Sequence, residues 1–142
     1  MKSIFVIIAG FLIVCSSFSN LQAQHNKTKW LDGSWTGVGF QPMALNHQAW
    51  QIYLDYDFEN ETIAINYPDF PCSGHWKLVK ADKHKAEFIE YIDEGEDLCN
   101  SEGQIIVTLI DDRYITISYF LPKIMDGVIA SATMEKVIKT QD

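Results

Sequence analysis

The sequence predicts an all-β domain built as an eight-stranded antiparallel up-and-down barrel, and three observations support this. Apolar and polar residues alternate over most of the chain, which is typical of strands that bury one face. Short polar connectors such as Asp82 with Lys83 separate these segments, as hairpin turns do. No window carries the apolar stripe of an amphipathic helix. Closure into a barrel removes exposed strand edges, and a two-sheet sandwich is the alternative.

The alternation places the strands. In the clearest segment, Trp50 and Leu54 lie on one face while Gln51 and Asp55 lie on the other. The same pattern predicts strands at residues 30–40, 47–58, 62–67, 74–80, 84–92, 104–110, 114–121 and 128–138. Together they form a single domain over residues 30–138, with a short tail at 24–29 and another at 139–142.

Residues 1–23 have the features of a secretory signal peptide. Lys2 gives a positive start, residues 4–14 are almost entirely apolar, and Ala23 is a small residue suited to cleavage before Gln24. The apolar run is shorter than the roughly 20 residues that a membrane span needs. We therefore expect an extracytoplasmic protein, either periplasmic or secreted. The alternatives are a retained N-terminal anchor and a lipoprotein processed at Cys15.

Length and charge limit the partners. The 142 residues less the first 23 leave 119, the length of one domain, and the loss of Lys2 takes the net charge from −8 to −9. A strongly acidic domain repels phosphate backbones and anionic lipid surfaces. We therefore expect no nucleic acid as a partner. We also expect that removal of the signal peptide, with its short apolar run, leaves no membrane span.

The cysteines favour a disulfide. Cys72 and Cys99 remain after cleavage, an even number in an oxidising compartment, although two free buried thiols are the alternative. The sequence has no Cys-x-x-Cys and no histidine–cysteine cluster at ligand spacing, so neither a metal nor another cofactor is expected.

Residues 31–37 (LDGSWTG) resemble the first strand of the calycins, the superfamily of lipocalins, fatty-acid-binding proteins and avidins. The resemblance implies that Gly33 and Trp35 form the barrel-closing motif, with the indole plugging one end. Further segments, in order, resemble a bacterial lipocalin-like extracytoplasmic domain of unknown function. They lie at residues 35–41, 65–68, 72–78 and 88–92, followed by Gly95 and Cys99. This resemblance covers most of residues 30–137 and implies that Cys72 pairs with Cys99.

The candidate ligand-binding residues are aromatic side chains on predicted inward faces and one carboxylate. Tryptophan and tyrosine line pockets while offering a hydrogen bond, and they also fill barrel cores. Glu90 shares its face with Phe88 and Ile92, so if that face is inward the carboxylate needs a partner, a ligand or the open mouth of the barrel. A one-residue change of register would expose it instead. The candidates are Trp50, Tyr56, Tyr67, Trp76 and Glu90.

The sequence therefore predicts a non-enzymatic module that binds a small apolar or amphipathic ligand, oriented by Glu90 or a tyrosine hydroxyl. It contains no Gly-x-Ser-x-Gly, phosphate-binding glycine loop or His-Glu-x-x-His, so no catalytic residues are predicted. Paired carboxylates on neighbouring strands leave an enzyme open. The alternative is a protein-interaction module, such as an inhibitor of a secreted hydrolase, that uses the acidic segment 93–100.

Overall fold

The computed structural model describes residues 26–44 and 48–138. Eight strands form a closed antiparallel barrel in chain order, and the first strand pairs with the last. The predicted fold class is therefore confirmed, and the two-sheet alternative is wrong. The predicted signal peptide, residues 24 and 25 of the predicted N-terminal tail and the C-terminal tail at 139–142 lie outside the described residues. The strands are β1 (Gly33–Phe40), β2 (Ala49–Asp57), β3 (Thr62–Tyr67), β4 (Cys72–Ala81), β5 (Lys85–Glu94), β6 (Gln104–Leu109), β7 (Tyr114–Phe120) and β8 (Ala130–Lys136).

The first strand begins later than the sequence predicts. Residues Asn26–Leu31 form a 3-10 helix, and β1 begins at Gly33 rather than at residue 30. Thr28 and Leu31, three residues apart, are both fully buried at one end of the barrel. Residues at this spacing share a face of a 3-10 helix, whereas in a strand they would point to opposite sides.

The barrel interior is filled from its middle to the end covered by this helix, which we call the closed end. Alternate residues of β2 are buried, as the sequence predicts, and the same alternation continues in β3, β5, β7 and β8. Large apolar side chains therefore pack against one another inside the barrel. Those that are almost completely buried include Leu31, Trp35, Ile52, Leu54, Phe88, Ile105, Ile115, Ile117 and Met134.

Trp35 lies at the closed end, as the Gly-x-Trp resemblance implies. Its side chain is buried, and its indole N–H donates a hydrogen bond to the Leu31 carbonyl at 2.8 Å. The Lys136 ammonium, from the facing position of β8, lies 5.1 Å from the Trp35 ring centroid. A cation over an indole face is favourable, so a lysine of the last strand helps to close this end. Gly33 begins β1 opposite Tyr56.

The predicted disulfide between Cys72 and Cys99 is confirmed. It joins the first residue of β4 to the connection between β5 and β6, with the two Cα atoms 6.4 Å apart. This connection, residues 95–103, lies at the end of the barrel opposite the 3-10 helix, which we call the open end. The disulfide therefore fastens one of the segments that surround the opening.

Candidate functional site

A cavity of about 260 Å³ lies at the open end of the barrel. Its walls come from five strands and from the connections that follow β1, β3, β5 and β7. Aromatic side chains and one carboxylate dominate the lining. The residues that matter for its chemistry are Trp50, Tyr67, Phe70, Glu90, Leu98 and Tyr119.

Two larger depressions, of about 830 and 580 Å³, lie on the outer face of the barrel. Outward residues such as Thr36, Ser131 and Asn66 line them, and the inner residues at their base belong to the packed core. Among the described residues, the buried polar or charged ones are Thr28 and Glu90, and neither lines these depressions. The cavity at the open end is therefore the candidate site, because it combines aromatic walls with a buried charged group.

Glu90 points into the barrel, which settles the register that the sequence left open. Alternate residues of β5 are buried, and Glu90 is only 5% exposed. Its backbone makes two hydrogen bonds to the connection before β6: its N–H donates to the Gly103 carbonyl at 2.9 Å, and its carbonyl accepts from the Glu102 N–H at 2.8 Å. The strand pairing places Trp76 of β4 directly beside it.

One oxygen of the Glu90 carboxylate receives two hydrogen bonds. The Tyr67 hydroxyl and the Trp76 indole N–H both donate to Oε1, the latter at 2.9 Å. The hydroxyl oxygens of Tyr67 and Tyr119 lie 2.7 Å apart. A hydroxyl has one hydrogen, and that of Tyr67 is used on the carboxylate, so Tyr119 must be the donor to Tyr67. The result is a hydrogen-bonded chain directed at the carboxylate.

The other oxygen of Glu90 faces the cavity. Within residues 26–44 and 48–138, Oε2 has no hydrogen-bond partner, whereas every fully buried side-chain nitrogen or oxygen in that part of the chain has one. Oε2 must therefore be reached by solvent. Because Glu90 lines the cavity, solvent reaches this oxygen there. The site thus presents one unsatisfied acceptor on a charged group.

Burial shifts the titration of all three groups. Desolvation raises the pKa of Glu90 above its ordinary value, and the hydrogen bonds from Tyr67 and Trp76 offset part of that shift. Desolvation also raises the pKa of Tyr67 and of Tyr119 well above the ordinary value of a tyrosine. Both phenols therefore keep their protons at neutral pH and act as donors.

Trp50 forms an aromatic wall of the cavity because the facing residue on β1 is a glycine. Gly39 pairs with Trp50 across the two strands, and a Cβ atom at Gly39 would lie 2.6 Å from Trp50 Cε2. Phe70 extends the wall, with its ring centroid 6.0 Å from that of Trp50. A glycine inside a strand often marks such a close approach, so the sequence did contain a signal for Gly39.

The structure brings together some of the predicted ligand-binding residues and separates others. Trp50, Tyr67 and Glu90 line the cavity. Trp76 does not line it but holds Glu90 from behind, and its ring packs against Phe88 at a centroid distance of 5.6 Å. Tyr56 lies at the closed end, where its hydroxyl is 2.6 Å from Thr28 Oγ1.

Sequence reasoning missed Tyr119, which lines the cavity and donates to Tyr67. The available signal was its position on β7, where Ile115, Ile117 and Tyr119 share the inward face. That pattern indicates burial and gives no indication of a polar neighbour on another strand.

The acidic segment at 93–100 is divided between two elements. Asp93 and Glu94 end β5, and the remainder begins the connection that the disulfide fastens. Leu98 in this connection is 60% exposed and also borders the cavity. The interpretation of this segment as the contact surface of a protein-interaction module stays a prediction.

No protein-family model, curated protein or solved structure matches this chain. The described part of the chain contains no group of three or more histidine, cysteine, aspartate or glutamate side chains that could hold a metal ion. Within that same part, no helix has the length and apolar character needed to cross a membrane.

Proposed function

We propose that the protein is an extracytoplasmic, lipocalin-like module that binds a small amphipathic ligand at the open end of its barrel. The observation that carries this proposal is the buried Glu90 carboxylate, whose free Oε2 faces a cavity with aromatic walls. Among the described residues Oε2 has no hydrogen-bond partner and is left to solvent, so the polar end of a ligand would replace water there. The apolar part of the ligand would contact Trp50 and Phe70.

The size of the cavity favours a compact ligand. Its volume of about 260 Å³ is slightly below the range of pockets that hold drug-sized molecules. Since a water molecule occupies roughly 30 Å³ in the liquid, the cavity takes about nine non-hydrogen atoms. Side chains fill the barrel below it, so a long acyl chain has no room to extend toward the closed end.

An extracytoplasmic location is supported by two independent features. The disulfide between Cys72 and Cys99 is of the kind that persists in oxidising compartments such as the periplasm. The sequence of residues 1–23 has the order of charge, apolar run and small residue that export signals share.

A cavity-filling variant tests the proposed binding site. Ala130 on β8 is buried and lines the cavity, so Ala130→Leu is expected to occupy the ligand volume. Its neighbour Ser131 points outward, and Ser131→Leu is the matched control. We expect fragments of about nine non-hydrogen atoms to shift the NMR signals of Trp50 and Tyr119 in the wild-type protein and in Ser131→Leu. Ala130→Leu should weaken that binding by at least about tenfold.

Native mass spectrometry of the purified protein provides the second measurement, because a resident ligand would appear as a discrete added mass. The absence of both a resident ligand and any binding fragment would contradict the proposal. Equal binding by Ala130→Leu and Ser131→Leu, with both variants folded, would place the ligand outside the cavity and would also contradict it.

A further inference from the structure

The hydrogen-bond donors around Glu90 all point toward its carboxylate. The hydroxyl hydrogen of Tyr119 is directed at Tyr67, and that of Tyr67 at Glu90 Oε1, where the Trp76 indole N–H also ends. With those hydrogens used, the free hydrogen-bonding positions of this cluster are acceptors. They are the lone pairs of Glu90 Oε2 and of the Tyr119 hydroxyl oxygen. The complementary ligand must bring hydrogen-bond donors.

Among the residues that the structure describes, no cationic side chain neutralises Glu90 inside the cavity. The described residues that line the cavity include no lysine, arginine or histidine. The groups that face Glu90 from the neighbouring elements are Tyr67 on β3, Trp76 on β4, Gly103 in the connection before β6, and Tyr119 beyond Tyr67 on β7. Lys123, on the connection after β7, is 83% exposed and paired with Glu102 at 2.5 Å. A proton, solvent in the cavity or the ligand can therefore compensate the carboxylate charge, and a cationic ligand does so most directly.

The walls and the overall charge both favour a cation. Aromatic faces attract an organic ammonium group, and Trp50, Tyr67, Phe70 and Tyr119 all border the cavity. The chain carries a net charge of −8, and a negative field concentrates cations at a concave site. A small anion would meet neither a positive charge nor a free donor from this cluster.

From these observations we infer that the site is selective for a small organic amine, whose ammonium group pairs with Glu90 Oε2 while its apolar body packs against Trp50 and Phe70. This inference rests on the proposed function, because it specifies the ligand class of the same cavity. It also distinguishes this barrel from one that carries neutral apolar molecules. With such ligands, the buried carboxylate would lower the stability of the fold without contributing to binding.

The inferred pairing makes binding dependent on pH. An ammonium ligand requires the ionised form of Glu90, and burial raises the pKa of that carboxyl. Protonation of Glu90 on acidification removes the charge partner, so the affinity for an amine falls as the pH is lowered through the pKa of the free site. Tyr67 and Tyr119 keep their protons over the same range and do not contribute to the change.

Three probes of similar size and different charge test the inference: 2-phenylethylamine, 2-phenylethanol and phenylacetate. Their affinities are measured by isothermal titration calorimetry on the exported protein with its disulfide intact, on Glu90→Gln and on Glu87→Gln. Glu87 lies on the same strand, is partly exposed and pairs with Lys80, so its variant removes the same charge outside the cavity. We expect the wild-type protein and Glu87→Gln to prefer the amine over the alcohol by about tenfold to a hundredfold.

In Glu90→Gln the preference for the amine should shrink to within about threefold, because the charge-assisted hydrogen bond is lost while the alcohol keeps its apolar contacts. Should that variant fail to fold, the pH dependence of the wild-type protein decides: amine affinity must fall on acidification while alcohol affinity stays constant. Alcohol or carboxylate binding as tight as amine binding would overturn the inference and leave the proposed function standing. If no probe and no resident ligand binds, both fail.

Discussion

At the scale of single residues, the Glu90 carboxylate has a fixed position because hydrogen bonds from several strands hold it. Its donors come from β3 and β4, and a further donor on β7 orients the first of them. Hydrogen bonds to a charged group contribute about 1.5–3 kcal/mol each, which offsets part of the cost of burial. Since Tyr67 and Trp76 are themselves packed in the core, they hold the carboxylate in one position.

Gly39 provides a test of how tightly the cavity wall is packed. In Gly39→Ala the new Cβ would lie 2.6 Å from Trp50 Cε2, so the indole must move. We expect a loss of about 1–3 kcal/mol in the free energy of unfolding, typical of overpacking, together with weaker ligand binding. Urea denaturation followed by Trp fluorescence measures the first effect.

Gly103→Ala is the matched control for stability, because its Cβ would meet its nearest atom, Leu121 Cδ2, at an ordinary 3.5 Å. This variant should be neutral or more stable by up to about 1 kcal/mol, since alanine restricts the unfolded chain. Similar losses of stability in the two variants would show that Trp50 does not constrain position 39.

At the scale of elements, the two ends of the barrel differ in how they are covered. The closed end receives a 3-10 helix whose Thr28 and Leu31 are buried, and Trp35 lies beneath them. At the open end, the connection between β5 and β6 supplies Leu98 and Asn100 to the cavity wall. This difference explains the position of the cavity. In the part of the barrel that the structure describes, side chains fill the closed end and leave space at the open end.

The disulfide fixes that connection, and its removal is expected to affect both stability and binding. Cys72 and Cys99 are 27 residues apart, so the entropy of loop closure gives the bond about 3.5 kcal/mol of stabilisation. The double variant Cys72→Ser/Cys99→Ser should lose about that amount in guanidinium denaturation. Because the freed connection borders the cavity, its ligand affinity should fall as well.

A reductant supplies the control for this experiment. Reduction of the wild-type protein should reproduce the loss of stability, whereas the same reductant should leave the double variant unchanged. If reduced and oxidised wild-type protein unfold at the same denaturant concentration, the disulfide does not stabilise the native barrel.

The strands themselves could be predicted from the sequence because burial on one face imposes a period of two. All eight strands, including the buried alternation of β2, follow from that period, and their bounds differ from the prediction by only a few residues. The 3-10 helix at Asn26–Leu31 could not be predicted in this way. It is a single short segment whose two buried residues are fixed by contact with the barrel end, which is a tertiary effect rather than a local one.

At the scale of the whole molecule, the position of the site along the barrel axis depends on strand pairing. Alternation identifies the inward face of each strand but not the height at which a side chain lies. Tyr56 and Trp50 share the inward face of β2, yet one lies at the closed end and the other at the cavity. The meeting of Tyr67, Glu90 and Tyr119 depends on the stagger of β3, β5 and β7, which a single sequence does not specify.

The titration of the whole molecule separates Glu90 from its exposed carboxylates. A hydrogen bond from Asn60 lowers the pKa of Asp57, and one from Lys123 lowers that of Glu102. Groups of that kind contribute stability above their unfolded pKa and lose it as the pH falls. Glu90 has the opposite sign: burial raises its pKa, so above the unfolded pKa the folded state binds more protons than the unfolded state. Its contribution therefore becomes less favourable as the pH rises through the folded pKa.

Comparison of the wild-type protein with Glu90→Gln isolates this contribution, because the exposed carboxylates are common to both proteins and cancel in the difference. At low pH both side chains are neutral, and the two proteins should differ little in their dependence on pH. As the pH rises, the wild-type protein must ionise a buried group while glutamine stays neutral, so Glu90→Gln gains stability relative to the wild-type protein. Urea denaturation between about pH 3.5 and about pH 8 measures the difference.

Glu87→Gln is again the matched control, since Glu87 is partly exposed on the same strand and its pKa is lowered rather than raised. Desolvation acts to raise the pKa of Glu87, but the hydrogen bonds from Lys80 and Lys85 outweigh desolvation. Its stability relative to the wild-type protein should therefore change in the opposite direction with pH. A saturating amine would stabilise the wild-type protein in the upper part of the range, because the ammonium group takes the role of the missing charge partner. A stability difference between Glu90→Gln and the wild-type protein that stays constant across the range would mean that Glu90 titrates as it does in the unfolded chain, and would contradict the effect of its burial.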